Sequence, residues 1–212
     1  MAKDAFGHSG FTRFWTAETV SEFGTYITTL ALQVLVVLTL AGTATDVGLL
    51  NAARWLPYPL LGLVVGALVD RRRRQPLLVT TDLGRVALLA LIPLLWLTGG
   101  LSLSYLLVVM AGFGLLSLVN DAASLSFLPR LVPRDVLLPA HARLNQSAAV
   151  AQTSGPVVAG ALVTALGAPF AVLVDAATYL VSGCWSRRSG PPKRSPRPLA
   201  PPAVCGARSA RD

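Results

Sequence analysis

The sequence predicts an all-α integral membrane protein, folded as a bundle of six transmembrane helices. Hydrophobic residues make up 53% of the chain and charged residues only 13%, whereas an ordinary soluble domain has roughly 25% charged residues. The mean hydropathy is +0.61. The first five of six apolar segments reach the ~20 residues that a helix needs to cross a hydrocarbon core of about 30 Å. They do not alternate in polarity as the strands of a membrane barrel would.

Each helix is predicted from one apolar segment. The segments span residues 14–40, 47–69, 77–97, 101–128, 136–166 and 170–185. The last is marginal in length for a membrane span, and Pro57 and Pro59 interrupt the second. Because proline removes a backbone donor and clashes with the preceding turn, we expect the second helix to bend or break there.

The positive charges between the segments indicate the orientation in the membrane. The links "AGTATD", "TGGLS" and "LGAP" contain no Lys or Arg, whereas the other links and both termini are basic. Because Lys and Arg concentrate in cytoplasmic loops, we expect both termini and the cluster Arg71–Arg74 to lie in the cytoplasm. The net charge of +8 then reflects topology, so the predicted partner is the lipid bilayer and not nucleic acid.

Composition also divides the chain into parts. Residues 1–10 form a polar cytoplasmic N-terminus, and residues 11–185 form the six-helix transmembrane domain. Residues 186–212 are rich in Pro, Arg and Ser and have little apolar content. Such a segment cannot bury enough surface to fold, so we expect a disordered basic tail.

Charged residues within the apolar segments are the candidate functional residues, because each is costly in hydrocarbon unless it is paired or hydrated. Glu22 and Arg54 should lie deepest, and they are the main candidates for lining a water-accessible path. Lesser candidates for the same path are Asn51, Arg85 and Asn120. In contrast, we expect Glu18, Asp82 and Arg143 to cap helices or reach the interface from near the cytoplasmic ends.

The fifth segment contains the stretch "TSGPVVAGALV", which places Gly155, Pro156 and Gly160 at mid-membrane depth. Small residues let two helices approach closely, and proline bends a helix. The stretch therefore predicts either a hinge used in a conformational change or simple close packing.

These motifs together resemble those of the major facilitator superfamily. Gly66, Asp70, Arg71 and Arg74 fit its signature loop "GxxxDRxxR" between the second and third helices, and the "GPxxxG" stretch resembles its antiporter motif. The stretches "FTRFW", "TDLGR", "FLPRLVPRD", "ARLNQS" and "LVDAATYLVS" are similar to the branch of drug and siderophore exporters called transmembrane secretion effectors. The resemblance covers residues 11–182, and the sequence is expected to depart from the family at about Gly183.

The resemblance implies a fold and a function. Family members have twelve helices in two halves, each half an inverted repeat of three plus three helices, and they bind substrate between the halves. This chain then corresponds to the N-terminal half of a bacterial inner-membrane exporter, coupled to the proton gradient and using no cofactor. Asp70 would latch a cytoplasmic gate, Arg74 would pair with Asp121, and Glu22 would be the proton-coupled carboxylate.

Alternatives stay open at this stage. The chain could be an inactive N-terminal fragment whose tail after Gly183 is a shifted reading frame, or a second copy could replace the absent half. An intramembrane enzyme would need a nucleophile–base pair or a metal cluster. His8 and His141 both fall near the cytoplasmic side and Cys184 has no evident partner, so we expect neither an enzyme nor a metal site. The identity of the substrate does not follow from the sequence.

Overall fold

The computed structural model describes residues 9–70 and 74–188, and its α-helices follow the predicted segments. Seven α-helices result because the second segment is divided in two. They are α1 (Ser9–Val34), α2 (Ala44–Trp55), α3 (Pro57–Asp70), α4 (Arg74–Leu97), α5 (Leu103–Leu131), α6 (Leu137–Leu166) and α7 (Ala168–Arg188). A π-helical turn, Leu35–Thr39, extends α1, and a 3₁₀ turn, Arg134–Val136, precedes α6.

Five of the predicted spans are long and apolar enough to cross a membrane. They are Gly10–Thr39, Ala44–Val69, Pro76–Leu97, Leu103–Leu125 and Leu137–Leu166. The sixth contains a shorter apolar stretch, Ala168–Leu180, as its marginal length predicted. The helix α7 continues to Arg188, three residues into the predicted tail. The rest of the tail, like residues 1–8 and 71–73, lies outside the described residues.

Local chemistry accounts for the ends of the helices. Thr43 and Asp46 form a capping box at the start of α2, in which the Thr43 amide donates to Asp46 Oδ2 at 2.7 Å. The Ser102 side chain accepts a hydrogen bond from the Tyr105 amide at the start of α5. Between α2 and α3 the helix breaks at Leu56, directly before Pro57. The expected interruption of the second segment is therefore present, and Pro57 occupies the first position of α3, where its missing N–H costs little.

The packing of the helices follows a two-fold pattern. The helix α1 packs on α6 and α7, while α5 packs on α2, α3 and α4, and α4 also packs on α7. If the first, second and third spans are exchanged with the fourth, fifth and sixth, each packed pair of spans is replaced by a packed pair. For example, the pair of α1 with α6 becomes the pair of α5 with α2 and α3. This is the pattern expected of a repeat of three plus three helices, and it agrees with one half of a major-facilitator-type bundle.

Two apolar clusters fill the bundle at different depths. One contains Leu32, Leu89 and Phe113, at the end of the bundle where α1 finishes. The other contains Phe11 and Leu128, at the end where α1 begins. On α4 and α5, buried polar residues lie close to the boundary between the two clusters in the helix register: Thr81, Asp82, Arg85, Ser117 and Asn120. Ser124 lies among residues of the second cluster, and Asp175 of α7 lies among residues of the first. The bundle therefore carries a polar belt across its interior, at the level of the candidate functional residues.

Candidate functional site

A cavity of about 290 Å³, here the central cavity, opens in this polar belt. The predicted path residues Glu22, Asn51, Arg54, Arg85 and Asn120 all line it. Further lining residues are Glu18, Ser21, Thr25, Tyr26, Thr29, Trp55, Tyr58, Ser117, Asp121 and Tyr179. The structure thus brings together side chains from α1, α2, α3, α4, α5 and α7 that lie far apart in the sequence.

Arg85 is the most deeply placed cation of the cavity wall, with 5% of its surface exposed. Its Nη1 lies 3.7 Å from Asp82 Oδ1, and its guanidinium carbon lies 4.9 Å from the ring centroid of Tyr179. The carboxylate and the aromatic face both stabilise the buried positive charge. Arg85 Nε has no hydrogen-bond partner among the described residues, so one donor of this guanidinium remains available to water or a ligand.

Arg54 reaches the cavity from α2. It donates a hydrogen bond from Nη1 to the hydroxyl of Thr29 on α1. Its guanidinium carbon lies 5.7 Å from the ring centroid of Phe113, and that of Arg85 lies 5.8 Å from the same centroid. Phe113 is 1% exposed, so a single buried ring of α5 lies against cations from both α2 and α4.

Asn120 is 6% exposed and connects α5 to α4. Its amide nitrogen donates to Thr81 Oγ1 at 2.9 Å and to Asp82 Oδ1 at 3.1 Å. The expectation that Asp82 caps a helix end or reaches the interface is therefore wrong. Asp82 is 3% exposed and accepts hydrogen bonds inside the bundle, because Asn120 and Arg85 offset the cost of burying its charge.

Arg143 and Glu18, which were also expected near the cytoplasmic ends, lie in different surroundings. The guanidinium of exposed Arg143 donates to Gln146 Oε1 at 3.2 Å on the surface of α6. Glu18 instead lines the central cavity together with Glu22, one helical turn further along α1. The described residues give neither glutamate a hydrogen-bond partner.

Asp121, the proposed partner of Arg74, lies at the edge of the central cavity. Its Oδ2 accepts a hydrogen bond of 2.8 Å from the hydroxyl of Tyr58 on α3. The side chains of Asp70 and Arg74, and all of Arg71, lie outside the described residues, so the latch and the Arg74–Asp121 pair stay predictions. Gly66 of the same motif lies within α3, with open space beside its α-carbon.

The predicted hinge lies within a continuous helix. Pro156 is inside α6, which runs without a break from Leu137 to Leu166. A β-carbon on Gly155 would lie 2.9 Å from ring atoms of Tyr26, whereas one on Gly160 would have Leu30 Cδ2 as its nearest neighbour at 3.9 Å. Gly155 therefore permits a close approach between α6 and α1, and Tyr26 connects this contact to the central cavity.

Several residues of the site had no signal in the sequence. Tyr58, Phe113 and Tyr179 read as ordinary aromatic residues of apolar helices, and Thr25 and Thr29 as small polar ones. In the structure Tyr179 Oη and Thr25 Oγ1 lie 2.9 Å apart. The rings of Phe113 and Tyr179 lie against guanidinium groups of neighbouring helices, and the Tyr58 hydroxyl bonds Asp121. Across residues 9–70 and 74–188, no group of three or more His, Cys, Asp or Glu side chains is arranged to hold a metal ion.

Comparison with known proteins points in the same direction as the fold. The chain matches the family model described as transmembrane secretion effector over residues 4–201. The match continues past Gly183, so the family resemblance does not end where the sequence was expected to depart from it.

Individual relatives are transporters by name. The chain is 26% identical over 140 residues to the uncharacterized MFS-type transporter YvqJ of Bacillus subtilis, covering 66% of this chain and 33% of the relative. It is 33% identical over 122 residues to the uncharacterized MFS-type transporters Mb0038c of Mycobacterium bovis and Rv0037c of Mycobacterium tuberculosis, covering 58% of this chain and 25% of each relative. The matched region thus spans a third or less of the curated relatives' length.

Proposed function

The chain belongs to the transmembrane secretion effector family, and on this premise we propose that it forms one half of a proton-coupled exporter of small molecules. Family membership and the apolar helices make it a multi-pass membrane transport protein of the major facilitator superfamily. The proposal further includes export, proton coupling, a bacterial inner-membrane location and cytoplasmic termini.

The central cavity is the observation that carries this proposal. A bundle that only fills the membrane gains nothing from placing Glu22, Arg54 and Arg85 around one space at membrane depth, because each charge is costly there. A transporter uses such a space to replace the water around its substrate and coupling ion. The position of the cavity between two apolar clusters supports this use, since packed apolar side chains lie on either side of it.

Glu22 is the proposed proton-coupled carboxylate. It lines the central cavity together with Arg54 and Arg85. In the proposed cycle, Glu22 exchanges a proton while the two halves of the transporter rock around the cavity. Substrate would bind between this half and a second half, which is either the C-terminal half of a longer protein or another copy of the chain.

Flux in proteoliposomes tests the proposal. Monomer and dimer of the purified chain are separated, reconstituted, and assayed for export of dyes and drugs driven by a pH gradient. We expect no flux from the monomer, because it carries only one wall of the binding space. Flux from a dimer, or from the chain joined to a C-terminal half, should be abolished by Glu22→Gln. Asp46→Asn is the matched change, because Asp46 lies at the N-terminus of α2 and outside the cavity lining. This variant should keep its flux.

The outcomes distinguish an exporter half from an inactive fragment. Strong flux from a verified monomer, or full activity in Glu22→Gln, would refute the assignment of the site. Absence of flux from both the dimer and the joined protein would favour the alternative of an inactive fragment, for which the partial coverage of the relatives is the supporting observation.

A further inference from the structure

Asp175 of α7 is a buried carboxyl group that the proposed transport path does not use. Its exposed fraction is 0%, and it does not line the central cavity. The side chain lies against Gly24 of α1, where an added β-carbon would lie 3.0 Å from the Asp175 carboxyl carbon. Because Gly24 has no side chain, α1 approaches α7 closely enough to enclose this carboxyl.

The hydrogen atoms around the carboxyl indicate its charge. Thr178 Oγ1 lies 3.2 Å from Asp175 Oδ1, but only 2.8 Å from the backbone carbonyl oxygen of Asp175. A hydroxyl carries one hydrogen, and the shorter contact with the carbonyl uses it. The hydrogen between Thr178 Oγ1 and Asp175 Oδ1 therefore comes from the carboxyl, as it does in a neutral aspartic acid.

The second carboxyl oxygen leads to the same conclusion. Asp175 Oδ2 and the hydroxyl of Thr28 on α1 are both buried without a hydrogen bond of good geometry among the described residues, although this hydroxyl faces the carboxyl. A carboxylate offers about four acceptor sites, far more than one hydroxyl can fill. The carbonyl oxygen of a neutral acid needs only the one hydrogen that Thr28 is placed to donate.

The described residues place no cation in ion-pair contact with Asp175. Arg85 of α4 and Arg54 of α2 face it from a distance. The ion pair of Arg85 is with Asp82, and Arg54 donates to Thr29. Both arginines are thus engaged elsewhere in this conformation.

The other helices packed against α7 add no positive charge at this level. Along α1 the titratable residues nearest to the enclosing glycine are Glu22 and Tyr26. The helix α6 contributes only His141 and Arg143, which lie in its first two turns. On α7 itself, Tyr179 follows one turn later. Because an unpaired carboxylate sealed from water at membrane depth is costly, these surroundings favour the neutral acid.

We propose that Asp175 is a proton-binding site, occupied in this conformation, whose neutral acid joins α7 to α1. It donates to Thr178 Oγ1 and accepts from the Thr28 hydroxyl. The site is closed to the central cavity, so its proton is separate from the one assigned to Glu22 and stays bound with or without transport. Loss of the proton leaves a buried charge between the two helices and weakens their contact.

Infrared spectroscopy tests the protonation directly, on the purified full chain in lipid nanodiscs with isotope-labelled carboxyl carbons in its aspartates. At about pH 7 an ordinary aspartic acid, with a pKa of about 3.9, is ionised. We expect a carbonyl band of a neutral acid that shifts on labelling and disappears in Asp175→Asn. Asp82→Asn is the matched control and should keep the band, because Asp82 is paired with Arg85. Absence of the band, or its survival in Asp175→Asn, would overturn the inference.

Thr28→Val assigns the same band with the carboxyl still in place, and so covers the case in which Asp175→Asn does not fold. Valine has the shape of threonine without the hydroxyl, so the acid carbonyl loses its hydrogen bond. The band should then move to higher frequency. Thr164→Val is the control, because the Thr164 hydroxyl bonds the Gly160 carbonyl within α6. An unchanged band in Thr28→Val would show that the two groups are not bonded.

Unfolding equilibria give an independent measure. The folded chain holds the proton and the unfolded chain loses it, so unfolding releases about one more proton in the native chain than in Asp175→Asn. The ratio of the native unfolding constant to that of the variant should rise about tenfold per pH unit from about pH 5 to about pH 7. A ratio independent of pH would refute the site. Neither experiment requires flux, so both are decided separately from the transport proposal.

Discussion

Replacing Gly155 by alanine tests the contact between α6 and α1 that the structure places beside the central cavity. The new β-carbon would lie 2.9 Å from three atoms of Tyr26, closer than van der Waals contact allows. Overpacking of this kind costs about 1–3 kcal/mol, and alanine recovers up to about 1 kcal/mol in helix propensity. We therefore expect Gly155→Ala to lower the free energy of unfolding by about 1 kcal/mol.

Gly160 provides the matched control, five residues further along α6 in the same motif. Its added β-carbon would meet only Leu30 Cδ2 at 3.9 Å, an ordinary contact. Gly160→Ala should therefore be neutral or stabilise the fold by up to about 1 kcal/mol. Tyr26→Ala removes two of the three close atoms but keeps the β-carbon, so it should suppress part of the loss in Gly155→Ala. Equilibrium unfolding in mixed micelles is measured for the native chain, the three single variants and the double variant, and equal effects of the two glycine variants would refute the close approach.

Two further predictions concern the arginine-rich loop and the orientation. In intact cells, a membrane-impermeant thiol reagent should not reach a cysteine introduced at Arg72, but it should label cysteines near Thr43, Gly99 and Ala168; labelling at Arg72 would overturn the orientation. If Arg74 pairs with Asp121, removing either charge should destabilise the fold by about 0.2–1 kcal/mol, the range of an exposed pair, because Asp121 is exposed in the structure. Exchanging the two charges should then recover part of the loss, and a double variant no better than the worse single one would exclude the pair.

The helices could be predicted from sequence because the membrane sets their length. A span of about 20 apolar residues is required whatever its neighbours are, and the predicted and observed bounds of α4 and α6 differ by three residues or fewer. The break before Pro57 follows from proline chemistry alone.

The partners within the site could not be predicted in the same way. Glu22 and Arg54 were selected by the cost of burying a charge, which depends only on their depth. That Phe113 lies against both Arg54 and Arg85 depends on how three helices pack. Asp82 was misjudged for the same reason: its position near the end of a segment suggested the interface, but Asn120 of α5 and Arg85 stabilise it inside the bundle.

The central claim is that the polar belt lines a hydrated cavity while the outer surface faces lipid, and cysteine accessibility tests it most directly. The native residues Cys184 and Cys205 are first replaced by serine. Ser21 lines the central cavity and is partly buried, whereas Ala87 is exposed on the outer surface of α4, and both lie well inside their membrane spans.

With the chain in a lipid bilayer, we expect a small charged thiol reagent to modify Ser21→Cys rapidly. We expect Ala87→Cys to react far more slowly despite its greater exposure in the protein, because thiolate formation and charged reagents both require water. Faster modification of Ala87→Cys than of Ser21→Cys would show that the belt is dry and the outer surface is hydrated, which would contradict the account.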